Sequence, residues 1–540
     1  MKRLAVLLLA CTALPALAQE APPIDGQAVR AHVEFLADDL LEGRDAGTRG
    51  YDIAARYVAA QFTALGLKPG TPDGWYQQIT LQNARLDTRK ANALTIGGKV
   101  FPSGEVAFVG ADGRFPQQAL SAPAVFVGHG IVAPEARIDD YAGLDVRGKI
   151  VVLLAGTPKG LPSERAAQLD STKNVLAETR GAVGLITLAT PELLKSFPLD
   201  AIRREITRPI VRLIEPDGNP RNAAPGIKAQ AYAAEAAADA LFTGAPKSFA
   251  QVVAEAAKPG SKLKGFPLAA PVTIAQSTLV STSRSPNVIG VLPGSDPALA
   301  NEYVLLTAHL DHNGVNPNAP GEDKIFNGAM DNAAGVATML EVARAFVASG
   351  QRPKRSMMFV ALTAEEDGLR GSDYLARHPV VPVGARVVAN VNLDMPVLLY
   401  DLVDVVAFGA EHSTIGPAVD RAAKAAGLAL IPDPMPEENV FTRSDHYSFV
   451  KQGVPSVMLA TGFGGGGSKA FRDFLATHYH KPSDQLSLPF NWGAAAKFAE
   501  VNYRVARELV DAPEAPRWYA GSVFGEQFAK GQPTAVRPKN

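Results

Sequence analysis

Residues 303–314 read YVLLTAHLDHNG, and two later stretches answer them: MMFVALTAEEDG at 357–368 and VVANVNLDM at 387–395. Each is an apolar run of strand length that ends on side chains with lone pairs to offer. The first delivers His309 and Asp311, the second Glu365 and Glu366, the third Asp394. Short apolar runs closed by polar turns predict buried strands, and the helical spacing of 332–348 and 370–377 places helices between them. Strands alternating with helices predict an α/β fold, a mixed central sheet flanked by helices. In such sheets ligands gather beyond the carboxyl ends of the strands, where His309, Glu365, Glu366 and Asp394 all fall.

Working outward, further strands are predicted at 287–292, 402–408 and 455–459, with a helix over about 492–510. Residues 25–68 predict two helices, the second closed by Gly66. Between them EGRDAGTRG (42–50) reads as a turn or as a loop near a substrate. Alternation over 76–120 suggests short antiparallel strands. Strand candidates at 124–132, 150–155 and 181–188, with a helix at 172–180, mark a second domain over about 120–265. Its one histidine, His129, reads as structural. The stretch 266–285 reads as an extended return connection, Gly462–Gly467 as a flexible loop or a plain linker, and the last thirty residues as a loosely docked tail.

The 540 residues are too many for one core. Lys and Arg number 53 against 54 Asp and Glu, with no basic run, which argues against nucleic acid or an anionic membrane as partner. The N-terminus, MKRLAVLLLACTALPALAQE, has a charged start, a short apolar middle and Ala16-Leu17-Ala18 before Gln19, the pattern of a secretory signal peptide over 1–18. The sole cysteine, Cys11, lies inside it, where Leu8-Leu9-Ala10-Cys11 also resembles a lipoprotein box. Once residues 1–18 are removed, the chain has no thiol for a disulfide or a metal. No later run is apolar enough to span a bilayer, so the mature protein is expected to be soluble, in the periplasm or the medium.

Two further segments, GAMDNAAGVA (328–337) and HYHKPSD (478–484), add Asp331 and His480. Taken singly each piece has a bland reading: adjacent glutamates are usually a solvated face, and a lone histidine is seldom a ligand. Together they place carboxylates beside apolar strands, which is costly unless a cation compensates. Imidazoles with carboxylates suit zinc. Asp331 has two oxygens with which to bridge a pair of ions, and Asp311 stands where its carboxylate could hold the other ring nitrogen of His309. Of Glu365 and Glu366, one can bind metal while the other faces a water as base.

These residues carry a resemblance. His309-Leu310-Asp311, Gly328-Ala329-Met330-Asp331-Asn332, Glu365-Glu366, Asn392-Leu393-Asp394, Ser444-Asp445-His446 and Tyr479-His480 resemble, in order and spacing, the co-catalytic zinc exopeptidases that include bacterial leucyl aminopeptidases and glutamate carboxypeptidase II. The resemblance implies two zinc ions per chain, with Asp331 as the bridge. His309 and Asp394 would hold one ion, Glu366 and His480 the other, with Glu365 the general base. His478 competes with His480; the latter is preferred because it precedes Lys481-Pro482-Ser483-Asp484. Asp445, His446 and Tyr447 are expected near the substrate. Residues 121–268 are similar to the protease-associated domain inserted in such enzymes, which would split the catalytic domain into 19–120 and 269–512, leaving 513–540 as tail. The implied activity is removal of N-terminal residues from peptides. A carboxypeptidase, a dipeptidase and a non-catalytic peptide-binding protein are the alternatives.

Overall fold

The structure, a computed structural model, describes residues 22–538. The expected signal segment, with Cys11, lies outside the described residues. Two helices open the fold: α1 (Gly26–Leu36), capped by the Asp25 carboxylate, and α2 (Arg49–Ala64), capped by Thr48. Their apolar stripes, Val29, Val33 and Leu36 on one and Ala54, Val58 and Phe62 on the other, join the main core.

The chain then enters β1 (Tyr76–Leu86) and builds an outer sheet from β2 (Ala93–Ile96), β3 (Gln117–Phe126), β4 (Ile150–Leu154), β5 (Gly184–Leu188) and β6 (Ala229–Ala233). Strands β3 to β6 run parallel in that order. The stretch expected as a connection is part of one long strand, β7 (Phe266–Leu292). Its first half pairs with β2 and β3, and its second half with β1, so a single strand belongs to both sheets. The expected division at 121 falls inside β3.

From the end of β7 the central sheet grows through β8 (Glu302–His309), helix α3 (Ala334–Ala348), β9 (Ser356–Leu362), helix α4 (Arg370–Arg377), β10 (Arg386–Leu393), β11 (Asp404–Phe408) and β12 (Ser456–Thr461). Strand β7 is antiparallel to β9; β9, β8, β10 and β12 then run parallel, and β11 closes antiparallel on β12. Every residue of β9 is buried, as a strand covered on both faces requires. At roughly 1.5–3 kcal/mol for each fully buried large apolar side chain, such strands are firmly held and give a rigid base for a site at their ends. Helix α5 (Gly467–Thr477) and the twenty-residue α6 (Trp492–Asp511) complete the cover.

Two expectations give way here. Gly462–Gly467 is a packed turn: the Gly464 amide donates to both Asp404 oxygens, and a Cβ on Gly462 would lie 2.1 Å from Asp404 Oδ1. Residues 518–529 are docked firmly. Trp518 is 2% exposed, its indole N–H donates to the Gly453 carbonyl, and Phe524 packs with it against Phe441 and Tyr447. No helix among the described residues is long and apolar enough to cross a membrane.

Candidate metal centre

The loops leaving the parallel strands meet in a cleft of about 460 Å³. Strand β8 ends at His309, whose Nε2 lies 3.0 Å from Asp394 Oδ1 and 3.2 Å from Asp331 Oδ1. The other oxygen of Asp331 lies 3.4 Å from His480 Nε2, which is in turn 3.1 Å from Glu366 Oε2. The five residues expected as ligands therefore come together, with Asp331 between two halves. His478 stays out: its Nδ1 meets the Ser483 hydroxyl at 2.9 Å. Glu365 lines the same cleft.

One member was missing from the expected set. His312 Nδ1 lies 2.6 Å from Glu366 Oε1 and 4.0 Å from Asp331 Oδ2. The His309-Leu310-Asp311-His312 spacing signals it, since a turn just after a strand can bring the fourth residue back to the site of the first.

Asp311 does not hold the ring of His309, whose Nδ1 instead meets the Asp311 backbone carbonyl at 3.1 Å. The Asp311 carboxylate accepts from the amides of Glu365 and Glu366, at 3.1 and 3.2 Å. That grip fixes the turn that points two glutamates apart. Asp484, in the segment after His480, does the same for the amides of Met330 and Asp331, at 2.9 and 3.0 Å. Asp394 is held by a buried relay: Asn390 donates to Thr307, Thr307 to Asn392, Asn392 to Ser444, and Ser444 to Asp394 Oδ2. Helix α3 starts where the Asn332 side chain accepts from the Gly335 amide, which sets the Asp331 turn.

The segment 445–447 lies behind the cleft wall, and Arg443 and Ser444 line the cleft itself. Asp445 is fully buried with neither carboxylate oxygen hydrogen-bonded. His446 and Tyr447 pack on Phe441, in the apolar cluster that also takes Trp518. Placing the latter two near the substrate is therefore corrected: an apolar cluster laid down by the C-terminal segment draws them inward.

The charges are unbalanced. Burial pushes the Glu365 carboxyl well above its ordinary range; His309 opposes this, while Asp394 and Asp445 add to it. Burial also works against ionisation of Asp331, but hydrogen bonds from His309 and His480 hold it well below the usual value. Burial would lower His480, yet Glu366 and Asp331 raise it to about 10. His309, held similarly by Asp394, Glu365 and Asp331 against its burial, is also raised. The donor set fits divalent cations of the zinc type. His309, Asp331 and Asp394 form one group whose donor atoms lie within 4.8 Å of one another, and His312, Asp331 and Glu366 form another. His312 Nδ1 and Glu366 Oε1 make no hydrogen bond despite their 2.6 Å approach. Buried polar atoms normally find a partner, and two donors converging without hydrogen-bond alignment match what a shared cation asks of its ligands.

The fold and this centre together define a mixed-sheet α/β protein with a candidate centre for divalent cations of the zinc type. Residues 287–506 match the family model of Peptidase family M28. A probable zinc metalloprotease of Pyrenophora teres f. teres is 35% identical over 113 residues, covering 20% of this chain and 22% of its own length. Aminopeptidase NAALADL1 of Mus musculus is 30% identical over 145 residues, covering 26% of this chain and 17% of its own length. These matches span less than a quarter of either relative. Among solved structures, an aminopeptidase from Aneurinibacillus sp. strain AM-1 superposes with a TM-score of 0.53 at 19% identity, covering 96% of this chain and 98% of that one. That likeness extends the shared fold across both sheets.

Proposed function

We propose that the protein is a secreted zinc metallopeptidase with a two-ion centre, and that it acts as an aminopeptidase on peptides. The observation that carries this is the divided reach of Asp331, one oxygen 3.2 Å from His309 and the other 3.4 Å from His480. A carboxylate so placed could serve two cations at once. In this reading His309 and Asp394 would hold one ion, and Glu366 and His480, joined by His312, would hold the other. Bound zinc would lower the pKa of a shared water toward neutrality and polarise the scissile carbonyl. Glu365 takes the proton of the attacking water on its carboxylate and later returns it to the leaving amine.

The choice of peptide end rests on charge. Among the residues lining the cleft, acids outnumber permanent cations, and the one arginine, Arg443, lies 3.2 Å from Glu438. Once the two ions take up Asp331, Glu366 and Asp394, Glu365 and Glu438 still outnumber Arg443, whose charge Glu438 already meets, and that remainder favours an N-terminal ammonium over a C-terminal carboxylate. A carboxypeptidase that seats the carboxylate on Arg443 is the competing reading. A panel of aminoacyl-nitroanilides beside peptides ending in glutamate, with and without chelator, separates the two. Chelator-sensitive cleavage of nitroanilides alone is the expected result, and cleavage of the glutamate peptides alone would reverse the assignment.

Export is part of the same proposal. Sequencing the N-terminus of the mature protein from periplasm or medium is expected to give Gln19 first. The protease-associated insertion expected over 121–268 stays within this reading, and the 3.1 Å approach of Glu164 to His412 supports it.

A further inference from the structure

We infer that Arg44 is a positioning residue of the metal centre: its buried guanidinium fixes the turn after His309 and the turn before Asp331 relative to each other. The inference rests on the two-ion reading above. Arg44 belongs to the EGRD stretch, for which the proposed mechanism has no use, and it is 1% exposed. Its Nε donates to the carbonyl of Leu310 at 2.8 Å, Nη1 to Asn327 at 2.6 Å and also to Leu36, and Nη2 to Gly328 at 3.1 Å. Leu310 directly follows His309, and Gly328 opens the turn that carries Asp331. The backbone adds to this grip, because the His312 amide donates to the Arg44 carbonyl at 3.3 Å and the Gly314 amide to that of Gly43 at 3.2 Å. One residue thus ties together the segments bearing His309, His312 and Asp331. Only arginine offers several N–H donors in a rigid plane for such a task; lysine is a point charge on a flexible stem.

The position is built against local preference. Glu42, Gly43 and Arg44 are all left-handed, with φ of 50°, 68° and 53°, a region that glutamate and arginine disfavour. At Gly43 a Cβ would sit 2.5 Å from the Phe326 carbonyl and 2.6 Å from that of Gly314. The chain is pressed against the loops of the centre to bring the guanidinium in. Charge agrees with placement. Burial lowers the Arg44 pKa to about 10, and Asp484 and Asp311 are the foremost charges opposing that fall. These are the two carboxylates that grip the amides behind Asp331 and Glu366. Arg44 therefore braces the carbonyls beside both clamps.

The test compares Arg44→Lys and Arg44→Met with wild type and with Val252→Ala, a core change in the outer layer at a residue 1% exposed. Zinc affinity is read by chelator competition, and site geometry by the absorption of the cobalt(II)-loaded protein. Arg44→Met is expected to weaken zinc binding by about 10–100-fold and shift the cobalt bands, as loss of a residue orienting metal ligands does. Arg44→Lys should recover part of both. Val252→Ala should melt earlier yet keep wild-type affinity and bands. If Arg44→Met does not fold, Arg44→Lys decides alone. Folded Arg44 variants with wild-type affinity and bands would overturn the inference, as would an equal loss of affinity in Val252→Ala. Wild-type protein that takes up neither zinc nor cobalt overturns the two-ion reading, and this inference with it.

Discussion

His312 Nδ1 and Glu366 Oε1 approach to 2.6 Å without forming a hydrogen bond, which puts a second imidazole beside His480 in one half of the centre. If both rings serve the ion held there, His312→Asn will keep the fold and lose roughly tenfold or more in affinity for one of two zinc ions. Stepwise chelator competition resolves the two ions. Equal affinities in variant and wild type would make His312 a bystander.

Glu365 lines the cleft, but its carboxylate lies in neither group of donors. Glu365→Gln keeps the shape and removes the basic oxygen. The variant is expected to retain two zinc ions per chain while kcat falls by about 10²–10⁴-fold, the range for a lost general base. Metal analysis and steady-state kinetics on one preparation check this, and full turnover would end the assignment.

Away from the acids the cleft wall is apolar, with Phe408, Met435, Val440, Met458, Phe471 and Leu475. The side chain released should therefore be large and apolar. Leucine and phenylalanine substrates are expected to exceed aspartate and lysine in kcat/KM by at least about tenfold, and Phe471→Ala to cost about tenfold on the favoured pair. A preference for charged residues would place the specificity pocket elsewhere.

The strands, and the meeting of His309, Glu366 and Asp394 in one cleft, were legible because each of the three ends or follows an apolar run whose period fixes where the chain stops. His309, Glu366 and Asp394 needed only that rule, and His480 only the motif around it. What stayed hidden depends on contacts across the chain. Arg44 meets Leu310 and Gly328 from more than 260 residues away, and no local period announces that. Asp311 faced two possible partners, and the sharp turn at Glu365 turned its carboxylate toward amides. Tyr447 stands beside a motif yet faces inward, because Phe524, far along the chain, covers it.

His129 is buried in the outer layer, its Nδ1 3.1 Å from the Gly156 carbonyl. Burial first, then the Lys173 charge, pushes it down to about 4. The unfolded chain, with a histidine near 6.5, binds the proton first, so stability is whole above about pH 6.5 and drains as pH falls toward 4. The loss reaches up to about 3 kcal/mol at the acid end. Melting curves of wild type and His129→Asn over that window are expected to converge toward pH 4, because the variant has no such proton to take up. Parallel curves would mean that His129 does not titrate there.

Trp518 lies beyond the expected catalytic boundary at 512, yet it is nearly fully buried against Phe441 and Tyr447 and bonded to Gly453. Phe441 stands three residues before Ser444, whose hydroxyl holds Asp394. The C-terminal segment therefore backs a wall of the cleft from behind. Trp518→Ala should cost about 3–5 kcal/mol, as loss of a large buried aromatic does, and Trp518→Phe distinctly less. Because the wall moves with its support, kcat/KM should fall in the same order, whereas the zinc content of the folded fraction should not. Calorimetry with kinetics on both variants checks this, and a chain ending at 512 that melts and turns over like wild type would show that the segment supports nothing.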